Sequence, residues 1–220
     1  MAEAKQPVTF PSGAYPAGMV GHATRSEATR RALVRAGRDL FGERGFAAAP
    51  LDEVVRRASV TKGALYHHFE NKEALFLAVF EDVEASLVRD VLVAARSGHQ
   101  PRERLRAGVR AFVIACQDST VQRIVLQDAP AVLGWDVWRA VDCCHFSALL
   151  REGITASTTP EQRAHRPVDV LTQVLRGALN EAAQMAGRSD DPELLAAVLD
   201  VLDGLLDGLL PGTRPAEVGA

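Results

Sequence analysis

A short run of polar residues beginning at Thr61 has the composition of a nucleic-acid contact. Phosphate groups bind lysine, hydroxyl groups and the amides of a helix N-terminus, whereas base edges need side chains that allow a close approach. Thr61 and Lys62 supply the first kind of group, and the small Gly63 and Ala64 allow the second. Aromatic residues one turn later add polar tips. The run therefore predicts a helix whose polar flank can face duplex DNA.

Other kinds of chemistry have little support in the sequence. The chain lacks a Gly-rich phosphate loop, a Gly-x-Ser-x-Gly elbow and a His-Glu-x-x-His zinc helix. Three cysteines are too few for a disulfide framework, and Cys143, Cys144 and His145 diverge by about 100° from one to the next on a helix, so they cannot readily share one ion. We therefore expect no catalysis, no cofactor and no metal, and a reducing compartment.

The composition is that of a globular protein, with 47% hydrophobic and 24% charged residues in 220. Residues 1–80 carry 11 Lys and Arg against 8 Asp and Glu, and residues 81–220 carry 14 against 20. The first part is thus the one suited to a polyanion. A general DNA-packaging protein stays open as an alternative, although it would need a stronger positive charge.

Nothing in the sequence predicts a membrane segment. After the first two dozen residues, no stretch longer than eight residues lacks a charged side chain, whereas a membrane span needs about 18–20 apolar residues. Residues 1–23 lack the apolar core of a signal peptide and contain three prolines. We expect these residues to form a flexible leader of a cytoplasmic protein.

Apolar residues recur every three or four positions from Ser26 onward, which predicts an all-α fold. A first helix is expected to end near Gly45, which can adopt a positive φ at a C-cap. A second helix over residues 51–58, with Pro50 in its first turn, is followed closely by a third that Thr61 caps. A short helix, a tight turn and another short helix form a helix-turn-helix, in which the second helix enters the major groove.

A long helix is predicted over residues 72–96, with Asn71 as its cap. Further helices are predicted over residues 102–116, 121–127, 135–152, 168–186 and 192–210, with breaks at 128–130, 153–167 and 187–191.

The segment from Leu40 to Phe80 resembles the DNA-binding domain of TetR-family transcriptional regulators, whose motif is close to G-[FY]-x-x-T-[ST]-x-x-x-I-A-x-x-A-G-V-[ST]-x-G-x-[LI]-Y-x-[HY]-F-x-x-K-x-x-L. The matches in register are Gly45, Phe46, Ala58, Val60, Thr61, Gly63, Leu65, Tyr66, His68, Phe69, Lys72 and Leu75. The resemblance implies a DNA-binding domain over residues 24–71 and a helical ligand-binding and dimerisation domain over residues 72–210, followed by a loose tail, residues 211–220.

The same resemblance implies which residues meet DNA. Those expected in the groove are Thr61, Lys62, Gly63 and Ala64, and those expected on phosphates are Tyr66, His67, Lys72 and either Thr24 or Arg25. For Tyr66 and His68, packing within the protein is the alternative.

Two positions depart from the family pattern. Ala49-Pro50 replaces the usual pair of hydroxyl residues, which removes a helix cap worth roughly 1 kcal/mol and puts one phosphate contact in doubt. Ser59 replaces the usual turn glycine, which implies strain if the position needs a positive φ. A regulator that has lost DNA binding and acts through protein contacts is therefore a further alternative.

The last two predicted helices point to a homodimer. The resemblance implies that the two helices, Val168 to Ala186 and Pro192 to Leu210, pack with their partner's pair as a four-helix bundle. Both carry wide apolar stripes, and small residues in the first permit close approach. The alternative is that both helices close a monomeric bundle. A two-fold dimer would place two recognition helices about 34 Å apart and would read a roughly palindromic operator.

A ligand pocket is expected in the second domain. The residues that could line it are Arg110, Phe112, Cys116, Gln122, Trp135, Trp138, Asp142, His145 and Phe146, with core packing as the alternative for each. The sequence thus suggests a repressor that a small apolar molecule releases from its operator by shifting the long helix.

Overall fold

A computed structural model gives the fold of residues 17–189 and 191–210, with only the backbone described for residues 17–24, 143 and 144. Within these residues the chain forms helices and no strand, so the all-α prediction is confirmed. Residues 1–16 of the expected leader and the expected tail, residues 211–220, lie outside the described part.

Three helices form the N-terminal unit: α1 Ala17–Ala48, α2 Leu51–Arg57 and α3 Lys62–His68. Helix α1 begins inside the segment expected to be a leader. The ring of Phe41, on the inner face of α1, meets that of Phe76 edge to face at 5.2 Å between centroids. Leu65 and Phe69 bury the inner side of the third helix. The unit is therefore held by apolar side chains that recur with the helical period.

The two turns of this unit differ slightly from expectation. Gly45 interrupts the helical geometry of α1 with φ 77° and ψ 165°, a positive φ as predicted, but helix resumes and continues to Ala48. Pro50 lies one residue before α2 in an extended conformation, so its placement in the first helical turn was wrong. No side chain caps α2, and Asp52 and Glu53 in its first turn provide the negative charge that a helix N-terminus favours.

The remaining chain forms the helical C-terminal unit. Its elements are α4 Lys72–Ala95, α5 Pro101–Ala115, α6 Ser119–Val121, a π-helix Gln122–Asp128, α7 Ala129–Leu133, α8 Trp135–Cys144, α9 Phe146–Ala156, α10 Pro160–His165, α11 Val168–Gly187 and α12 Pro192–Leu209. Asn71 caps α4 as predicted, accepting the amide of Ala74 at 2.7 Å. Helix α4 packs on α1 at one end and on α5 along its length, so it joins the two units.

Three predicted boundaries were wrong. Residues 128–130 do not interrupt the helical segment. Pro130 lies in the first turn of α7, where a helix needs no amide donor. The helix predicted over 135–152 is two helices, divided at His145 with φ −112° and ψ −87°. The break predicted over 153–167 contains the end of α9 and the short α10, which Thr159 caps.

One continuous core runs through both units. In the part of the chain that the structure covers, none of the helices combines the length and the apolarity that crossing a bilayer requires.

Candidate functional site

The outer side of α3 is exposed to solvent. We call Thr61, Lys62, Gly63, Tyr66 and His67 the α3 flank; all five are exposed, and Tyr66 is 50% accessible. Ala64 is half-buried beside them. The packing alternative for Tyr66 therefore has little support, whereas His68 is half-buried, and its burial lowers its pKa.

Two features fix the backbone at the start of α3. Thr61 Oγ1 accepts the amide of Ala64 at 3.1 Å, as the sequence predicted for a cap. Ser59, in the turn before it, has φ 55°, a conformation that glycine adopts more easily. The turn thus keeps its tight geometry at the expense of some backbone strain.

No contact within the described part of the protein requires glycine at position 63. A Cβ at Gly63 would meet only Thr61 Oγ1, at 4.0 Å, so nothing else in the described chain comes near it. A small residue on an open surface suits the close approach of an external partner, as the sequence predicts.

Lys62 forms an ion pair with Asp52 of α2, with 2.9 Å between Nζ and Oδ1. Both side chains are exposed, so the pair adds little stability. The ammonium is consequently available to a phosphate or a base edge, with Asp52 as its competitor.

Arg57 clamps α2 onto α1. Its guanidinium contacts Glu43 Oε1 at 2.7 Å and Glu53 Oε1 at 3.2 Å. Hydrogen bonds from Arg56 and Arg57 hold the pKa of Glu53 at about 2. The helix that supports α3 is thereby fixed in orientation.

The other predicted DNA contacts belong to helices other than α3: Lys72 begins α4, and Thr24 and Arg25 are in α1. Lys72 is half-buried, with Nζ 4.5 Å from the centre of the Phe46 ring, and burial lowers its pKa. Arg25 is exposed on α1. The side chain of Thr24 lies outside the described residues. All three stay predictions.

A small cavity in the C-terminal unit collects four of the nine predicted ligand residues. We call it the acidic cavity; its volume is about 10 Å³. The predicted residues that line it are Phe112, Trp138, Asp142 and Phe146, and they are joined by Glu84, Val125, Leu126, Arg176 and Asn180.

Sequence reasoning missed Glu84, whose carboxylate lies on the inner face of α4 between Phe80 and Leu87. The signal was present, because Glu84 follows Phe80 by four residues and precedes Leu87 by three, the spacing of one helix face.

The other five predicted ligand residues do not line this cavity. Gln122 is buried, but its amide nitrogen is used by the carbonyls of Cys116 and Ala183, at 2.8 and 2.7 Å. Cys116 itself is buried, which raises the pKa of its thiol.

The remaining three predicted ligand residues make contacts elsewhere in the C-terminal unit or next to it. Trp135 is 52% exposed and stacks on Trp138 with 4.8 Å between ring centres. Arg110 donates to Asp203 of α12 at 2.9 Å. His145 lines a cleft between α1 and α4.

A larger apolar cavity of about 320 Å³ lies between α4, α5 and α9. We call it the apolar cavity; Val91, Leu105, Val109, Phe146 and Leu150 are among its walls, and Arg104 and Glu152 are its charged members. Phe146 therefore belongs to both cavities. A volume of this size suits a small organic molecule.

Helices α11 and α12 carry exposed apolar side chains: Val170, Val174, Met185 and Val201, the last at 71% accessibility. Between the two helices lies an apolar groove of about 330 Å³ that includes Met185 and Val201. Among the described residues, no group of three His, Cys, Asp or Glu could hold a metal ion.

Comparisons with known proteins agree with this architecture. Residues 33–79 match the family described as bacterial regulatory proteins, tetR family, and residues 102–209 match the tetracyclin repressor-like C-terminal domain. A crystal structure of a TetR-family transcriptional regulator from Pectobacterium atrosepticum is 31% identical and superposes with a TM-score of 0.69. The match covers 87% of this chain and 98% of that one.

Of two curated relatives, one is named a transcriptional repressor and the other a transcriptional activator. The HTH-type transcriptional repressor Rv1474c of Mycobacterium tuberculosis is 28% identical, over 80% of this chain and 91% of the relative. The HTH-type transcriptional activator FasR of Mycolicibacterium smegmatis is 39% identical over 100 residues, so the match spans only 46% of that protein. The chain therefore belongs to the TetR family of DNA-binding transcriptional regulators.

Proposed function

We propose that the protein is a homodimeric repressor that binds a roughly palindromic operator through α3 and leaves it when a small molecule occupies the C-terminal unit. The single observation that carries this proposal is the α3 flank, where a capped helix start, an exposed lysine and an unencumbered glycine lie together on one open surface. We expect the protein to bind its operator in the cytoplasm.

Dimerisation is supported by the exposed apolar side chains of α11 and α12. A face with Val170, Val174, Met185 and Val201 in solvent is more apolar than a solvated surface needs to be. Pairing the two helices with those of a second copy would cover it as a four-helix bundle. The two α3 helices would then lie about 34 Å apart, or a multiple of that distance.

Release by a ligand is supported by the position of α4. This helix starts at Lys72, three residues after the buried Phe69 that follows α3, and it lines the apolar cavity through Val91. A molecule that prefers one position of α4 over another would change the separation of the two α3 helices. The apolar body of the effector is expected in this cavity.

Selection of random DNA duplexes by the purified protein tests the proposal. We expect a palindromic consensus whose half-sites are one helical turn apart, or a multiple of a turn. Uniform binding would instead identify a packaging protein. No binding would identify a regulator that acts through protein contacts, the alternative raised by Ala49-Pro50.

A further inference from the structure

Glu84 is a buried carboxyl group with an unused oxygen. Its residue is 2% exposed, and Oε2 has no hydrogen-bond partner among the residues that the structure describes. Buried polar atoms are nearly always paired, so an unpaired one calls for an explanation. The atom belongs to a residue that lines the acidic cavity.

The charges around Glu84 are unbalanced. Asp142, on α8, accepts the hydroxyl of Ser147 at 2.7 Å and lies 3.7 Å from the guanidinium of Arg176 on α11. Arg176 is the one basic side chain among the residues that line the cavity, and it pairs with Asp142. Burial, followed by the charge of Asp142, raises the pKa of Glu84 to about 8, so this carboxyl holds a proton at neutral pH.

Aromatic rings form part of the walls of the acidic cavity. Phe112 and Phe146 stack with 4.1 Å between ring centres, and Trp138 lines the same cavity. Aromatic faces attract cations. The guanidinium of Arg176, 5.8 Å from the centre of the Trp138 ring, already uses one such face.

The acidic cavity has room for about one water molecule. The apolar cavity beside it is far larger, and the two share a single wall residue, Phe146. Because α4 contributes Glu84 to the first cavity and Val91 to the second, a molecule that spans both would contact this helix at two points. Phe146 is therefore the side chain that a ligand spanning both cavities would have to displace.

We propose that the effector is an amphiphilic organic cation, with its ammonium group against Glu84 and its apolar body in the apolar cavity beyond Phe146. This inference rests on the proposed function and names the chemical class of the ligand. On binding, the carboxyl of Glu84 loses its proton to solvent, the ammonium keeps its own, and the two form an ion pair. Arg176 remains with Asp142.

Three probes with one apolar body and different head groups test the inference: phenylbutylamine, phenylbutanol and phenylbutyrate. Titration calorimetry of the full chain, in two buffers that differ in ionisation enthalpy, gives both the affinity and the protons released. We expect the amine to bind at least about tenfold more tightly than the alcohol. Up to one proton should be released with the amine and none with the alcohol.

Glu84→Gln should remove the preference for the amine and the proton release, while binding of the alcohol stays within about twofold. Glu81→Gln, an exposed glutamate one turn earlier on α4, is the matched control and should behave as the wild type. If Glu84→Gln does not fold, the three probes on the wild-type protein decide the question. No binding of the amine, equal binding of all three probes or a preference for the acid would overturn the inference.

The effect on DNA is measured separately, by the mobility shift of a selected duplex with and without the amine. Calorimetric binding of the amine with no release of DNA would leave the ligand class standing and would contradict ligand-controlled repression. Release of DNA by the alcohol or the acid alone would contradict the ligand class and would leave ligand-controlled repression standing.

Discussion

The backbone amide of Phe46 donates a hydrogen bond to Asp128 Oδ2 over 2.7 Å. This bond joins the end of α1 to the end of the π-helix, so the DNA-binding unit is held to the C-terminal unit at a second place besides α4. Nearby, Gly42 of α1 lies close to Thr120 of α6, where a Cβ would come within 2.7 Å of the threonine methyl. The close contact leaves no space for a side chain at position 42, so α1 and α6 pack directly against each other there.

Asp128→Ala should weaken this attachment. A hydrogen bond to a charged acceptor contributes about 1.5–3 kcal/mol, and partial exposure places this one at the lower end. We expect the free energy of unfolding in urea to fall by about 1–2 kcal/mol. Gln127→Ala, at an exposed position of the same π-helix, serves as the control, and equal losses in the two variants would contradict the proposed role of the bond.

Trp138 secures the middle of the π-helix. Its indole Nε1 donates to the carbonyl of Val125 at 3.0 Å, and the side chain is buried. Trp138→Phe removes the indole donor from that carbonyl, which should lower the free energy of unfolding by about 1–3 kcal/mol. Trp135→Phe changes an exposed ring and should stay within about 0.5 kcal/mol of the wild type. Urea denaturation of both variants checks the difference, and similar losses would show that the indole bond is not the cause.

Glu84 predicts a loss of stability as the pH rises from about 4.5 to about 8. Its pKa is about 8 in the folded protein against an ordinary 4.5, so unfolding between these values releases a proton. The free energy of unfolding should therefore fall as pH rises through this window. Asp142 contributes in the same direction, because burial raises its pKa. Glu53, with its pKa lowered to about 2, acts in the opposite direction and only below about pH 4.5.

Glu84→Gln should flatten this dependence. Urea unfolding of the wild type and the variant at a series of pH values from about 5 to 9 measures it. We expect the free energy of unfolding of the variant, relative to that of the wild type, to rise steadily with pH. Parallel curves would show that Glu84 is ionised in the folded protein.

Lys62 and Asp52 should affect DNA binding in opposite directions. Lys62→Ala removes a positive charge from the α3 flank and should weaken binding to a selected operator by about 1–3 kcal/mol, with a smaller dependence on salt. Asp52→Asn frees the same lysine from its ion pair and should tighten binding about threefold at low salt.

Arg96→Ala, at an exposed position after α4, controls for the loss of charge alone. Fluorescence anisotropy at several salt concentrations measures all three variants. Equal weakening of DNA binding by Lys62→Ala and Arg96→Ala would show that Lys62 does not contact the DNA.

Local chemistry made the N-terminal unit predictable from the sequence. The caps of Thr61 and Asn71 act within three residues, and the apolar sides of the short helices follow a simple period, so the structure reproduces them. The candidate DNA contacts were placed by their resemblance to a family motif that lies entirely within this unit. Their role in DNA binding stays a prediction.

The ligand region was less predictable because long-range packing determines it. The break at His145 has no turn signal, and the π-helix depends on Trp138, which lies 13 residues away along the chain. The sequence predicts Gln122 as a pocket residue, yet its side-chain amide donates to the carbonyl of Ala183 on α11, which only the fold brings near. Glu84 carried a readable signal, a carboxylate on an apolar helix face, but its lack of a partner appears only in three dimensions.

The central claim is that two α3 helices, related by a dimer axis, read two half-sites on one face of DNA. Binding to a selected palindrome, compared with the same palindrome lengthened at its centre by about five base pairs, tests this most directly, because half a helical turn rotates the second half-site to the opposite face. We predict a loss of at least about a hundredfold in affinity, down to the level of a single half-site. Equal affinity for the two duplexes would contradict the claim.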